Sequence, residues 1–336
     1  MILVTGGAGY IGSHTCLTLL EVGYEVLVLD NLCNSKKESL RRVEIITGKK
    51  IDFIHADVRD IATLRKTFSS YSIEGVIHLA GLKSISESIN FPLKYYDNNV
   101  LGSTALVQVM AEFKVHVLVF SSTAAVYGGA TASPIQESSP LVATNPYGRS
   151  KLMIEQICTD LAISNGSWGI AILRYFNPVG AHASGQIGEY STDEPSNLMP
   201  NICRVAMRDI EQLEIHGDDY STIDGTGVRD YIHVMDLAEG HVSALAWLKN
   251  NTGTHVFNLG TGHGFSVLEI VKTFELVSGV SIPYKISPRR RGDLPAIYAE
   301  TSKAEKELGW KAKFGIQSMC KDAWNWQKQN PQGYLN

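Results

Sequence analysis

The first thirty residues constrain the fold more than any other stretch. An apolar run, Met1 to Thr5, ends in Thr5-Gly-Gly-Ala-Gly-Tyr-Ile-Gly12. Residues 10 to 22 then place Ile11, Leu17 and Leu20 at helical spacing, and Tyr24 to Asp30 returns as a second apolar run. A buried strand, a glycine turn, a helix and a second strand form the opening half-turn of a parallel sheet. The same rhythm continues with strands expected at Ile51–His55, Gly75–Leu79, Val115–Ser121 and Ile170–Arg174. Long helices are expected over about 92–113 and 147–165. Strands that are apolar without alternation are covered on both faces, so the expected class is α/β with a doubly wound parallel sheet.

Past Asn177 the rhythm weakens. Residues 181–198 are rich in Gly, Ser, Asp and Pro and are expected to cross as a loop into a smaller, mixed α/β lobe. Its helices are expected at 198–209, 234–249, 266–278, 301–308 and 316–329. At 336 residues the chain exceeds one compact core. The expected division is 1–178 and 179–336, with segments of the second part returning to the first.

The glycine loop reads as GxGxxG from Gly7, Gly9 and Gly12, or as GxxGxxG from Gly6, Gly9 and Gly12. Either lets backbone N–H groups, with Tyr10 and Ile11 opening the helix, approach a pyrophosphate. Asp30 closes the second strand 18 residues after Gly12. A carboxylate there accepts from a ribose 2′-OH and repels a 2′-phosphate, so the expected cofactor is NAD in a Rossmann-like fold.

Tyr147-Gly-Arg-Ser-Lys151 sets a phenol and an ammonium one helical turn apart. A lysine close to a phenol favours the phenolate and suits it to take a proton from a hydroxyl. With 14 tyrosines in the chain such spacing is expected about once by chance, so its weight comes from position. It follows the fifth strand, whose end carries Ser121-Ser122-Thr123, and ligands bind beyond the carboxyl ends of such strands.

Five cysteines without a CxxC pair read as buried small hydrophobes in a reducing compartment. A net charge of -4 gives no pull toward nucleic acid or anionic lipid. No run of 18 apolar residues is present, and no signal peptide is visible, because the first apolar run meets glycine at Gly6. The expectation is a cytoplasmic protein with no membrane and no nucleic-acid partner.

Longer strings carry a resemblance. Thr5 to Thr15, Asp30-Asn-Leu-Cys-Asn-Ser35, His78-Leu-Ala-Gly-Leu-Lys83, Tyr95-Tyr-Asp-Asn-Asn99, Pro146 to Lys151, Arg174 to Ala181, Asp224 to Leu237 and Gly292-Asp-Leu-Pro295 resemble the extended short-chain dehydrogenase/reductase family, in its nucleotide-sugar 4-epimerase branch. The resemblance implies that Tyr147 is the base, with Lys151 its partner on the nicotinamide ribose and Thr123 the helping hydroxyl. Asp30, Asn31, Asn34 and Ser35 would hold the adenosine ribose and its phosphate, and Asp57 and Val58 would border the adenine. Leu79, Ala80, Gly81, Lys83 and Asn98 would line the cofactor channel, with Tyr175 at the nicotinamide. Asn177, Asn197, Leu198, Arg229, Tyr231, Arg290, Asp293 and Ile297 would hold a UDP-hexose, Lys83, Thr123 and Tyr147 also meeting its sugar. A two-fold dimer through the two long helices is implied as well.

Arginine suits a diphosphate, since its fork matches phosphate oxygens. The run Arg289-Arg290-Arg291 reads otherwise as a solvated charge patch. Threonine at 123, where the family usually has serine, keeps the hydroxyl and adds a methyl. Ile297, intermediate in bulk, stands where residue size is thought to govern room for a 2-N-acetyl group, which keeps UDP-N-acetylglucosamine in view as a second substrate. A 4,6-dehydratase needs an acid and a base after the fifth strand, and Ala124 and Ala125 supply neither.

Overall fold

The computed structural model describes residues 1–129, 133–191, 197–290 and 293–334. Arg291 and Gly292, which the sequence reading placed in the arginine run and the GDLP string, lie outside the described residues, as does the 192–196 part of the expected crossing loop.

The central sheet takes β1 (Ile2–Thr5), β2 (Val26–Asp30), β3 (Asp52–His55), β4 (Gly75–His78), β5 (Val117–Thr123) and β6 (Gly169–Tyr175). Short strands follow: β7 (Asn177–Val179), β8 (Leu213–His216), β9 (Val228–Arg229) and β10 (Tyr231–His233). β11 (Gly253–Leu259) then returns to the central sheet, and β12 (Phe265–Ser266), β13 (Tyr284–Ser287) and β14 (Ala296–Ile297) end the series. The seven central strands are parallel in the order β11-β6-β5-β4-β1-β2-β3. The chain builds outward from β1 to one side and then restarts at β4 on the other. The point of reversal leaves a crevice at the carboxyl ends of β1 and β4.

Helices cover both faces. On one lie α1 (Tyr10–Glu21) and α2 (Glu38–Thr47); on the other, α3 (Ile61–Ser70), with α4 (Ile85–Asn90), α5 (Pro92–Tyr95), α6 (Gly102–Glu112) and α7 (Pro146–Ser164). The expected helix 92–113 is three pieces, α5, a π-helical turn at Tyr96–Leu101 and α6. Asn98, which lines the cleft beside β4, and the buried Asn99 both lie on that turn. Beyond β7 come α8 (Leu198–Ala206), α9 (Val234–Trp247), α10 (Val267–Ser278), α11 (Ser302–Leu308) and α12 (Ile316–Gln329).

The smaller lobe has its own core, in which Met199, Ile202, Phe274 and Met319 are buried together. α9 does not belong to it alone. Leu237, Ala244 and Leu245 pack with Leu17 and Leu20 of α1 in the core of the central sheet. Among the described residues no helix is long and apolar enough to cross a membrane.

Candidate active site

The glycine loop is built by steric exclusion. Gly6 has φ +73°, and a Cβ on it would stand 2.6 Å from the Ala80 nitrogen. A Cβ on Gly12 would stand 2.2 Å from the Gly6 carbonyl oxygen. Only glycine lets the loop fold this tightly onto β4 and α1. Gly9 caps α1 with no side-chain hydrogen bond, so the first turn of the helix keeps its N–H groups facing outward. Tyr10 and Ile11 act through packing: the Tyr10 hydroxyl donates to the Gly180 carbonyl at 2.6 Å, and Ile11 lies against the core.

Asp30 is buried at the end of β2. Its Oδ1 accepts from the Leu32 N–H at 2.8 Å and from the Ser35 hydroxyl at 3.0 Å. Its Oδ2 accepts one bond, from the Ala8 N–H at 3.0 Å. A carboxylate oxygen has two lone pairs, so Oδ2 keeps one for a ribose hydroxyl. The cleft beside it is lined by Gly6, Asp30, Asn31, Asn34, Asp57 and Val58 from one side. Leu79, Ala80, Gly81 and Asn98 close the other. The Asn31 amide donates to Asp57 at 2.9 Å, and Arg59 holds the Asp57 carboxyl well below the usual carboxylate range. An open helix terminus, a carboxylate with a spare lone pair and a narrow cleft between them fit a dinucleotide.

α7 starts at Asn145, whose side chain accepts from the Gly148 N–H at 2.8 Å, with Pro146 in the first turn. The helix carries Tyr147 and Lys151 toward the end of β5. Tyr147 is half-buried, and its ring meets Tyr95 edge-on at 6.5 Å. Burial pushes its phenol above the ordinary value, and a hydrogen bond with the Thr123 side chain pulls it part of the way back. The sequence reading expected the lysine to lower this phenol. Instead the Lys151 ammonium is turned to the sheet, donating to the Ser121 carbonyl at 2.8 Å, and burial lowers its own pKa to about 8. Thr123, also buried, accepts from the Ala125 N–H at 3.1 Å, and the Ser121 hydroxyl is hydrogen-bonded to the Tyr175 hydroxyl.

The residues expected at the sugar nucleotide gather in two groups, with the others apart from them. Lys83 and Asn197 both reach Glu189, the ammonium at 3.1 Å and the amide at 3.5 Å. Arg229 lies on β9, donating to the carbonyls of Val228 at 2.8 Å and Leu294 at 2.9 Å, with Asp293 at 3.8 Å. Ile297, on β14, pairs with Arg229 of β9 and packs against the cluster of Phe176 and Tyr127. Arg290 is exposed, Asn177 opens β7, and Leu198 packs on the small-lobe core. Tyr231 is buried, 4% exposed, in that core, on the strand β10 that pairs with β7.

Three side chains escaped the sequence reading. Asn99 is buried and spans the crevice. Its amide donates to the Leu82 carbonyl at 3.0 Å and the Ser150 hydroxyl at 3.1 Å, while its oxygen accepts from the Leu82 N–H at 2.8 Å. Glu155 continues the four-residue spacing of Tyr147 and Lys151, a signal that was present and unused. Glu189 had none, since only the fold brings it to Lys83.

A glycine loop on β1, an acid ending β2 and a Tyr–Lys helix beside the end of β5 define a dinucleotide-dependent enzyme of the short-chain dehydrogenase type. The chain belongs to the NAD dependent epimerase/dehydratase family, whose model matches residues 2–260. It is 56% identical over 333 residues to the UDP-glucose 4-epimerase of Bacillus subtilis (strain 168), covering 99% of this chain and 98% of that one. The structure of UDP-glucose 4-epimerase from Bifidobacterium longum in complex with NAD+ and UDP superposes with a TM-score of 0.96 at 50% identity, covering 99% of both chains. That of the Stenotrophomonas maltophila enzyme, with bound NAD and formylated UDP-arabinopyranose, gives 0.97 at 48% identity, covering 98% of each.

Proposed function

We propose that this chain interconverts UDP-glucose and UDP-galactose by inverting the sugar C4 with NAD as its cofactor. The observation that carries the reading is the meeting of Tyr147, Thr123 and Lys151 at the carboxyl end of β5, beside the dinucleotide cleft. NAD, when bound, accepts a hydride from C4 and returns it to the opposite face. Tyr147 takes the proton of the 4-OH and later restores it, and Thr123 shares a hydrogen bond with that phenol so that the hydroxyl is aimed. Lys151 supplies positive charge beneath the site. Arg229 and Arg290 hold the diphosphate while the 4-keto sugar turns, so binding is concentrated on the nucleotide and kept weak on the hexose. Loss of water from the sugar is disfavoured, since Ala124 and Ala125 form an apolar turn after β5.

Residues 1–178 with the returning β11 would carry the cofactor, and the remainder of 179–336 the sugar nucleotide. The partner is a second copy. Leu93 is 80% exposed, Leu101 58% and Met153 41%, an apolar stripe along the α5–α6 rod and α7 that a two-fold helical bundle would cover. The reading is of a cytoplasmic enzyme.

The test is to incubate the purified protein with UDP-galactose, without added NAD, and follow UDP-glucose by NMR. UDP-glucose formation establishes the activity together with a retained cofactor. No product, even after NAD is supplied, removes this reading.

A further inference from the structure

α7 carries a third polar side chain in step with the first two. Glu155 follows Lys151 by four residues, as Lys151 follows Tyr147. It turns into the seam between α7, β5 and β6 and is only 4% exposed. There its carboxylate accepts from the Ser122 hydroxyl, from Arg174 Nε at 3.0 Å and from Arg174 Nη2 at 2.6 Å. Arg174 is fixed in turn, donating to the Tyr127 hydroxyl at 3.0 Å and the Glu137 carbonyl at 3.1 Å. The Tyr127 hydroxyl donates onward to Asn258 at 2.7 Å.

A buried ion pair is a poor source of stability, because desolvation offsets most of the attraction. Its location is more informative. The Lys151 ammonium is buried against the Ser121 carbonyl and, at 5.0 Å, the Phe120 ring. Neither carries a full negative charge. The ionisable groups on this side are His78 from β4, Glu155 and Tyr147 one turn either side on α7, and Tyr175 from β6, joined to the Ser121 hydroxyl; Arg174 lies beyond Glu155 and Tyr95 beyond Tyr147. His78 is neutral, its pKa lowered to about 3 by burial and then by Lys151 itself. Burial holds the phenols of Tyr147 and Tyr175 above their ordinary values, and burial with the Glu87 carboxylate does the same for Tyr95. Of these groups Glu155 alone is negative. It opposes the effect of burial on Lys151.

We propose that Glu155 is a positioning residue for the reaction: clamped by Arg174 and Ser122, its carboxylate supplies the negative charge that keeps the buried Lys151 ammonium charged and seated at the end of β5. The proposal rests on the reading of Tyr147 and Lys151 as the reacting pair. Arg174 then serves to lock Glu155, and the network beyond it to lock Arg174. A purely structural ion pair would leave the protonation of Lys151 indifferent to its removal.

The experiment is the pH profile of epimerisation in NAD-loaded enzyme. Glu155→Gln should move the alkaline limb of kcat down, by roughly one pH unit, the direction expected when an opposite charge one helical turn away is removed. KM for UDP-galactose should stay within about twofold, and Glu155→Asp should restore most of the profile. Glu155→Gln leaves Arg174 buried and uncompensated, so the double variant E155Q/R174M is measured beside it. It removes both charges and keeps volume, and the same downward direction is expected. An alkaline limb at the wild-type pH in either folded variant overturns the proposal. Tyr147→Phe in the same assay separates the two failures. If that variant keeps its turnover, the catalytic pair itself is misassigned. If it is inactive while the limb is unmoved in the Glu155 variants, only the role of Glu155 falls.

Discussion

Gly9 and Gly12 lie three residues apart where the glycine loop enters α1, yet the structure assigns them different duties that two alanine substitutions separate. At Gly12 a Cβ would stand 2.2 Å from the Gly6 oxygen and 2.7 Å from the Gly7 Cα. Both are backbone atoms, and Gly6 is pinned by its own N–H bond to the Leu29 carbonyl at 2.9 Å. Relief needs a loop shift of about 1 Å, an overpacking that costs about 1–3 kcal/mol and here belongs at the upper end. At Gly9 the nearest atom to a Cβ is the Gly6 oxygen at 3.3 Å, and the backbone, at φ -74° and ψ -180°, is one alanine adopts. Gly9→Ala should therefore change stability by less than about 1 kcal/mol. Its methyl does meet whatever approaches the open end of α1. A forced contact of about 1–3 kcal/mol weakens NAD roughly 5- to 150-fold. The assay is the nucleotide released on denaturing each purified protein, with the melting temperature of the NAD-stripped form. Gly9→Ala should melt like the wild type and hold little NAD; Gly12→Ala should lose both. A Gly9→Ala protein with full NAD content, or a Gly12→Ala protein with wild-type melting, would refute the steric argument.

Thr123→Val should lower kcat by roughly 10²–10³-fold with little change in KM, the loss typical of one hydroxyl aimed at a reacting oxygen, while Thr123→Ser stays near wild type. Steady-state kinetics with UDP-galactose would show it, and equal losses in both variants would assign the effect to packing. Leu93→Glu should convert the proposed dimer to monomer in sedimentation velocity, and an unchanged species would place the interface elsewhere. Burial lowers the pKa of His14 to about 3, of His78 to about 3 and of His241 to about 4. The unfolded chain binds protons at these sites near pH 6.5, so stability is complete above that value and falls as the pH drops toward the folded values. Each histidine contributes a slope of about 1.4 kcal/mol per pH unit in that window. Denaturant midpoints between pH 7 and pH 5 measure the slope, and a flat profile would contradict the buried neutral rings.

The parts legible in the sequence were those where one physical rule acts over a short stretch. Gly6 and Gly12 are needed because the loop folds back on itself within seven residues, Gly9 keeps the open end of α1 free of a side chain, and Asp30 follows because β2 ends beside that loop. β11 was not legible, because its run Gly253–Leu259 stands far along the chain among the elements of the smaller lobe. Only its register against β6, Gly253 opposite Gly169 through Leu259 opposite Tyr175, makes it a central strand. The burial of Tyr231 was not legible for a related reason: the string that contains it is specific, but a string does not say which way a side chain turns in a short strand. The largest difference concerns Lys151. A one-turn spacing puts a lysine on the same helix face as a tyrosine, and from spacing alone the lysine acts on the phenol. The fold inserts a third party, since the carbonyl end of β5 captures the ammonium and leaves the phenol to Thr123. Whether a buried lysine there stays charged depends on a carboxylate one turn further on, and that carboxylate is held by an arginine nineteen residues away on β6. The helix brings Tyr147, Lys151 and Glu155 into line, and the sheet behind them, through Ser122 and Arg174, holds the carboxylate in place.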